Sequence, residues 1–233
     1  MQPGDAAAVE QLFNDVAPRY DRLNDLLSLG LHRQWKRQLL ARLQPRSGEC
    51  WLDLCCGTGD LALDLARIVR PNGRVIGLDA AADPLSLAEQ RRQRQAWLQV
   101  DWVQGDALNT ELPTAHFDGI VMAYGLRNLA DAAAGLKEIR RLLKPGGRAG
   151  VLDFNRLPES SWSATFQRHY LRRIVVPAAA MAGLEAQYAY LEASLQRFAT
   201  GVEQETMAIQ AGFRSARHRP FMAGQMGLLI LST

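Results

Sequence analysis

Residues 52–60 read Leu-Asp-Leu-Cys-Cys-Gly-Thr-Gly-Asp, and Asp79 ends the next apolar run. A short strand that runs into a glycine-rich turn and opens a helix lets backbone approach a ligand closely. The turn proper is Gly57, Thr58 and Gly59, and it carries an acid, Asp53, at its lip. That acid decides which ligand fits. It repels a pyrophosphate and attracts an ammonium or a sulfonium. Asp79 ends the second strand, where a carboxylate can accept both hydroxyls of a ribose. Gly105-Asp106-Ala107 ends the third, where Asp106 can accept from an adenine amine and Ala107 leaves room for the ring. The turn also matches a relaxed dinucleotide fingerprint, with Ala62 as its third small residue, and Asp79 is shared with dinucleotide proteins. Asp53 and Asp106 make the difference. A ligand with an amino acid, a ribose and an adenine but no phosphate is S-adenosylmethionine, and its chemistry is methyl transfer.

These residues need a frame that brings strand ends together. Strand patterns over 50–55, 74–79, 99–104, 117–122 and 148–154 alternate with helix patterns over 60–69, 84–97 and 131–143. Lys144-Pro145-Gly146-Gly147 closes the last of these helices, because Pro145 cannot continue it and the glycines supply the reversal. Alternation of this kind predicts an α/β, Rossmann-like fold with a parallel sheet and helices on both faces. Ligands bind such sheets at the carboxyl ends of the strands. The tail differs. Residues 162–198 read as helical, with Arg168, Arg172 and Arg173 beside Leu171, Ile174, Val175 and Val176. A helix over 203–211 and two closing antiparallel strands over 213–219 and 225–231 follow. The expected sheet is therefore seven-stranded and mostly parallel. Ahead of it, residues 9–43 read as a helical arm with Leu31, Trp35, Leu39 and Leu43 on one face. One domain spans 1–233, with an arm or lid over 1–45, a cofactor-binding core over 46–155, and a substrate region with closing strands over 156–233.

The bulk composition bounds the function. With 233 residues and 48% apolar side chains the chain can bury a large core. A net charge of +3 permits an anionic surface as partner without requiring one. No apolar run reaches the ~20 residues that span a bilayer. The first residues lack the pattern of a secretory signal or a transit peptide. Three cysteines, Cys50, Cys55 and Cys56, sit around one strand and argue for a reducing compartment rather than a disulfide framework. The expected location is cytoplasmic, with peripheral contact to a membrane where apolar and basic residues of the 160–198 stretch meet anionic headgroups. The four histidines (32, 116, 169 and 218) have no ligand spacing, so no metal is expected. Arg91-Arg92-Gln93-Arg94 invites a nucleic-acid reading, but no Asn-Pro-Pro-aromatic element follows the fourth strand and no basic domain is appended.

Two further stretches carry a resemblance. Val16-Ala17-Pro18-Arg19-Tyr20-Asp21 with Asn24 to Lys36, and Tyr124-Gly125-Leu126-Arg127-Asn128, resemble the two signatures of the ubiquinone/menaquinone C-methyltransferases, the UbiE/MenG family. Tyr188 to Leu195 and Ala211-Gly212-Phe213 resemble its C-terminal region. Phe154-Asn155-Arg156 and the Tyr170 to Pro177 stretch look most like cyanobacterial members, which methylate demethylphylloquinone or its menaquinone counterpart. The resemblance implies a class I methyltransferase fold and a prenylated quinol as acceptor, with a naphthoquinol ring favoured and a benzoquinol as the alternative. One departure stands out. Many members have Ser-Phe before the Gly-Leu-Arg-Asn run, and here the pair is Ala123-Tyr124.

Methyl transfer to a ring carbon needs alignment and an electron-rich acceptor, so the reduced quinol, and its phenolate above all, is the expected substrate. The resemblance implicates Tyr20, Arg127 and Asn128 in deprotonating it through water. Arg127, always charged, suits stabilising a phenolate better than acting as a base, and the sequence leaves both readings open. Arg127 and Asn128 could instead cap the helix that starts near Asp131. Asp153, at another strand end, reads as pairing with a nearby base rather than reacting.

Overall fold

A computed structural model describes residues 30–157 and 185–233, together with residues 10, 11, 14, 28 and 173; for 185–189 it describes the backbone alone. Helix α1 (His32–Leu43) is followed by β1 (Cys50–Leu54), α2 (Asp60–Val69), β2 (Arg74–Asp79), α3 (Ala82–Gln93), β3 (Val100–Gln104) and β4 (Phe117–Ala123). A 3-10 turn (Leu126–Asn128) leads into α4 (Ala132–Leu142), β5 (Leu143–Phe154), α5 (Glu185–Arg197), α6 (Gly201–Gln210), β6 (Ser215–Phe221) and β7 (Met226–Ser232).

The seven strands form one sheet in the order β3-β2-β1-β4-β5-β7-β6. The pairs β1–β2, β1–β4, β2–β3 and β4–β5 are parallel, whereas β7 pairs antiparallel with both β5 and β6. Strand order reverses between β1 and β4, so the crevice at their carboxyl ends is the ligand-binding position of this architecture. Both faces of the sheet are covered. Along β4, Val121 joins a cluster that includes Leu39, Leu43, Leu61 and Leu65, while Ile120 and Met122 join Leu52, Leu54, Leu136 and Ile139 on the other side. This is the period-two alternation of a strand read between two helical layers.

Element boundaries move where local chemistry was hidden. Strand β1 stops at Leu54 rather than Cys55, because Cys55 turns left-handed at φ 58°. Helix α3 starts at Ala82, two residues ahead of the expected Pro84, since proline is tolerated in a first turn that needs no N–H. It ends at Gln93, well before Trp97, which is 53% exposed with the Arg70 guanidinium 4.3 Å from its ring centroid. Helix α6 starts at Gly201 because Thr200 and Glu203 form a capping box, with Thr200 N donating to Glu203 Oε2 at 2.7 Å. Strand β5 begins at Leu143, opposite Phe117, and runs through the Pro-Gly-Gly stretch with a register shift. Of the helical stretches expected over 9–43 and 162–198, the parts outside α1 and α5 lie largely outside the described residues, as does the Arg168–Arg172 cluster. Among the described residues no helix is long and apolar enough to cross a membrane.

Candidate active site

A cavity opens at the carboxyl ends of β1, β2 and β4. Five of the expected residues line it: Gly57, Asp79, Asp106, Ala107 and Asn128. Asp79 holds the glycine turn against β2. Its Oδ2 accepts from Gly57 N at 2.7 Å and its Oδ1 from Ala81 N at 3.0 Å. Burial pushes the Asp79 pKa up, against the pull of those backbone N–H groups. Asp106 folds its own loop, with Oδ1 accepting from Leu108 N at 2.9 Å.

Three expected residues support the wall from behind. Asp53 is 1% exposed beneath the turn, where its Oδ2 accepts from Ala62 N at 2.9 Å. Burial raises its pKa to about 7, opposed by Lys36 and that N–H. Thr58 is buried, and Arg91 donates to its Oγ1 at 3.0 Å and to Asp60 Oδ1 at 2.9 Å. Gly59 precedes α2 with a left-handed φ of 81°. Lys36, from α1, closes the same cluster with its Nζ 3.1 Å from Asp60 Oδ2. Burial works to raise the Asp60 pKa, but Lys36 and Arg91 outweigh it and hold it low. Arg91, from α3, thus clamps the glycine turn.

The loop after β4 is a second polar cluster. Arg127 Nη1 donates to Asp153 Oδ1 at 2.6 Å and to Tyr124 O at 2.8 Å, with side chains only 10% and 4% exposed. Arg127 is therefore the cation that Asp153 pairs with, and it stands behind the cavity wall. Asn128 Nδ2 donates to the same Tyr124 O at 2.8 Å. Neither residue caps α4. Asp131 does so, its side chain accepting from Ala134 N. Tyr20 lies outside the described residues.

Ala123 and Tyr124, the pair that departs from the expected Ser-Phe, both line the cavity, and so do four residues that sequence reading passed over: Cys55, Leu78, Leu108 and Leu129. Tyr190, from α5, reaches the cluster and donates its hydroxyl to Asn128 Oδ1 at 3.2 Å. Only topology could find these residues, although Ala123 and Tyr124 follow a strand end.

The charged residues among the described lining are Glu10, Asp79 and Asp106. Three carboxylates and no cation make a wall hostile to a pyrophosphate and suited to hydroxyl and amine donors. This set of acceptors fits an adenosyl ligand that carries no phosphate.

The sequence profile of the ubiE/COQ5 methyltransferase family matches residues 1–230. The 2-phytyl-1,4-naphtoquinone methyltransferase of Synechococcus elongatus is 48% identical over 225 residues, 96% of each chain. The chloroplastic 2-phytyl-1,4-beta-naphthoquinone methyltransferase of Arabidopsis thaliana is 42% identical over 223 residues, 94% of this chain and 85% of the relative. Among solved structures, a SAM-dependent methyltransferase from Aquifex aeolicus superimposes with a TM-score of 0.63 at 16% identity, covering 84% of this chain and 88% of that one. Phosphoethanolamine N-methyltransferase 2 of Haemonchus contortus, in complex with S-adenosyl-L-methionine, gives 0.66 at 16% identity over 86% of this chain and 52% of its own. At these identities the structural likeness speaks for the fold.

Proposed function

This chain belongs to the ubiE/COQ5 methyltransferase family, and on that premise we propose that it C-methylates the reduced ring of a 2-phytyl- or 2-prenyl-1,4-naphthoquinol, using S-adenosylmethionine. This is the closing methylation of phylloquinone or menaquinone synthesis. One observation carries the reading: end-to-end identity of 48% to a methyltransferase named for 2-phytyl-1,4-naphtoquinone.

The cofactor supplies an electrophilic methyl group on a sulfonium. Asp79 would hold the ribose hydroxyls with the lone pairs its backbone donors leave free, and Asp106 would accept from the adenine amine, with Ala107 leaving room for the ring. Gly57, Thr58 and Gly59 give the amino-acid end its backbone cradle, and Asp53 holds negative charge beneath it. Asn128, at the wall, contacts an oxygen of the acceptor ring and favours its anionic form. Arg127 acts one layer back. Its pairing with Asp153 and its bond to Tyr124 O hold the loop on which Asn128 sits, which favours positioning over proton abstraction. Tyr20 completes the acceptor site from the N-terminal arm. The apolar and basic residues of the 160–198 stretch suit the apolar tail of the acceptor and reversible contact with an anionic membrane surface.

The test is incubation with labelled cofactor and either reduced 2-phytyl-1,4-naphthoquinone or a reduced prenylated benzoquinone, with products identified by mass. A gain of one methyl on the naphthoquinol ring is expected. Preference for the benzoquinol, or methylation of neither, overturns the reading. Flotation of the same mixture with anionic liposomes tests the membrane contact, which is abandoned if the protein stays in solution.

A further inference from the structure

Asn128 and Tyr190 are 62 residues apart in the chain and meet in the interior. Tyr124 O is a carbonyl oxygen and can only accept. The end of the Asn128 side chain that faces it at 2.8 Å is therefore the NH2 end. This turns the carbonyl end toward Tyr190, and the Tyr190 hydroxyl must be the donor of the 3.2 Å contact. Both residues are buried, Asn128 at 8% exposure and Tyr190 at 5%. Two helical turns further along α5, Arg197 Nη2 donates to Leu129 O at 3.3 Å. Helix α5 thus grips the Leu126–Asn128 turn through one side chain and the residue after it through another.

We propose that Tyr190 is a positioning residue for methyl transfer, its hydroxyl locking the Asn128 amide so that the remaining Nδ2–H faces the acceptor oxygen. The inference rests on the function proposed above, in which Asn128 contacts that oxygen. Tyr124 O selects which end of the amide faces it, but the last torsion of an asparagine is broad, so an amide held at that end alone swings about the bond and its free N–H loses its aim. A carbonyl aimed at a developing phenolate would repel it, whereas an N–H stabilises it. Burial pushes the Tyr190 pKa up, against Arg127 and Arg197, so the phenol keeps the proton it donates.

The variants Tyr190→Phe, Asn128→Ala and the pair together test this. Tyr190→Phe is expected to keep the wild-type circular dichroism and to lower kcat about tenfold, the worth of the one hydrogen bond that orients Asn128. S-adenosylhomocysteine affinity, read by calorimetry, is expected to stay within about twofold, because the hydroxyl does not hold the cofactor. The double variant is expected to lose no more activity than Asn128→Ala alone, since Tyr190 acts through Asn128. A further readout needs no turnover: the Asn128 side-chain amide protons should exchange with solvent faster in Tyr190→Phe than in the wild type. Wild-type kcat in Tyr190→Phe, additive losses in the double variant, or unchanged amide exchange would each overturn the proposal. A wild-type protein that methylates no quinol sinks the acceptor contact, and the amide exchange still decides whether the lock exists.

Discussion

Asp53 carries its charge where water does not reach it. At 1% exposure its carboxylate has one backbone donor, and burial lifts its pKa to about 7 against the opposing charge of Lys36. A carboxyl whose folded-state pKa is raised binds its proton more tightly folded than unfolded. Its contribution to stability is therefore full at acid pH and declines as pH rises toward about 7, by about 1.4 kcal/mol per pH unit. Cofactor binding runs the other way, because only the ionised form attracts the cationic end of the ligand. S-adenosylhomocysteine affinity should rise between about pH 6 and about pH 8, with proton release on binding near neutrality. Calorimetry in two buffers of different ionisation enthalpy measures that proton, and Asp53→Asn should flatten the profile. A wild-type affinity independent of pH would remove Asp53 from the cofactor's electrostatics. The identity and strand position of Asp53 were readable from the spacing around Gly57. Its depth was not, because depth depends on α1, whose Lys36 reaches across to Asp60 at the start of α2 beside it.

At the scale of elements, the turn between β1 and α2 has no room for a side chain at Gly59. Gly59 has φ 81°, and a Cβ added there would stand 2.5 Å from the Trp102 ring and 3.0 Å from Ala88 Cβ. Gly146 has a similar φ of 77°, but nothing lies within 4 Å of an added Cβ. The two alanine variants therefore separate strain from crowding. Gly146→Ala should cost about 1–2 kcal/mol for the left-handed backbone alone. Gly59→Ala should cost about 2–5 kcal/mol, because Trp102 must also shift. Denaturant unfolding reads both, and equal costs would mean that Trp102 yields freely. Elements with a strict period were legible: α2 and β2 fall where the pattern puts them, at Asp60–Val69 and Arg74–Asp79. Boundaries set by a side-chain cap or a left-handed residue were not. Cys55 cuts β1 short through its φ, and Asp131, rather than Asn128, supplies the α4 cap. The meeting of Asn128 with Tyr190 was illegible for a different reason, since no local pattern records which helix covers which loop.

For the whole molecule, the question is whether the N-terminal arm is a detachable lid or part of the core. Trp35, Leu39, Leu40 and Leu43 of α1 are each at most 6% exposed, and all belong to the cluster that fills one side of the sheet. Leu39 and Leu43 lie so close to β5 that a Cβ on Gly150 would come within 2.5 Å and 2.9 Å of their methyls. The Arg148 guanidinium donates to Leu43 O and, at 2.8 Å, to Gln44 O, pinning the end of the helix to β5, while Lys36 ties its middle to Asp60. Four buried side chains of this size contribute about 6–12 kcal/mol. That is comparable with the whole net stability of a typical domain, about 5–15 kcal/mol. A chain beginning at residue 45 is therefore expected to lose its cooperative thermal transition and not merely its activity, and Leu39→Ala should cost about 2–5 kcal/mol. A lid predicts the opposite: a truncated chain that still melts cooperatively and still binds S-adenosylhomocysteine. Scanning calorimetry and ligand titration on the truncated chain distinguish the two, and cooperative melting would move the boundary of the folded core to Gly48 and beyond.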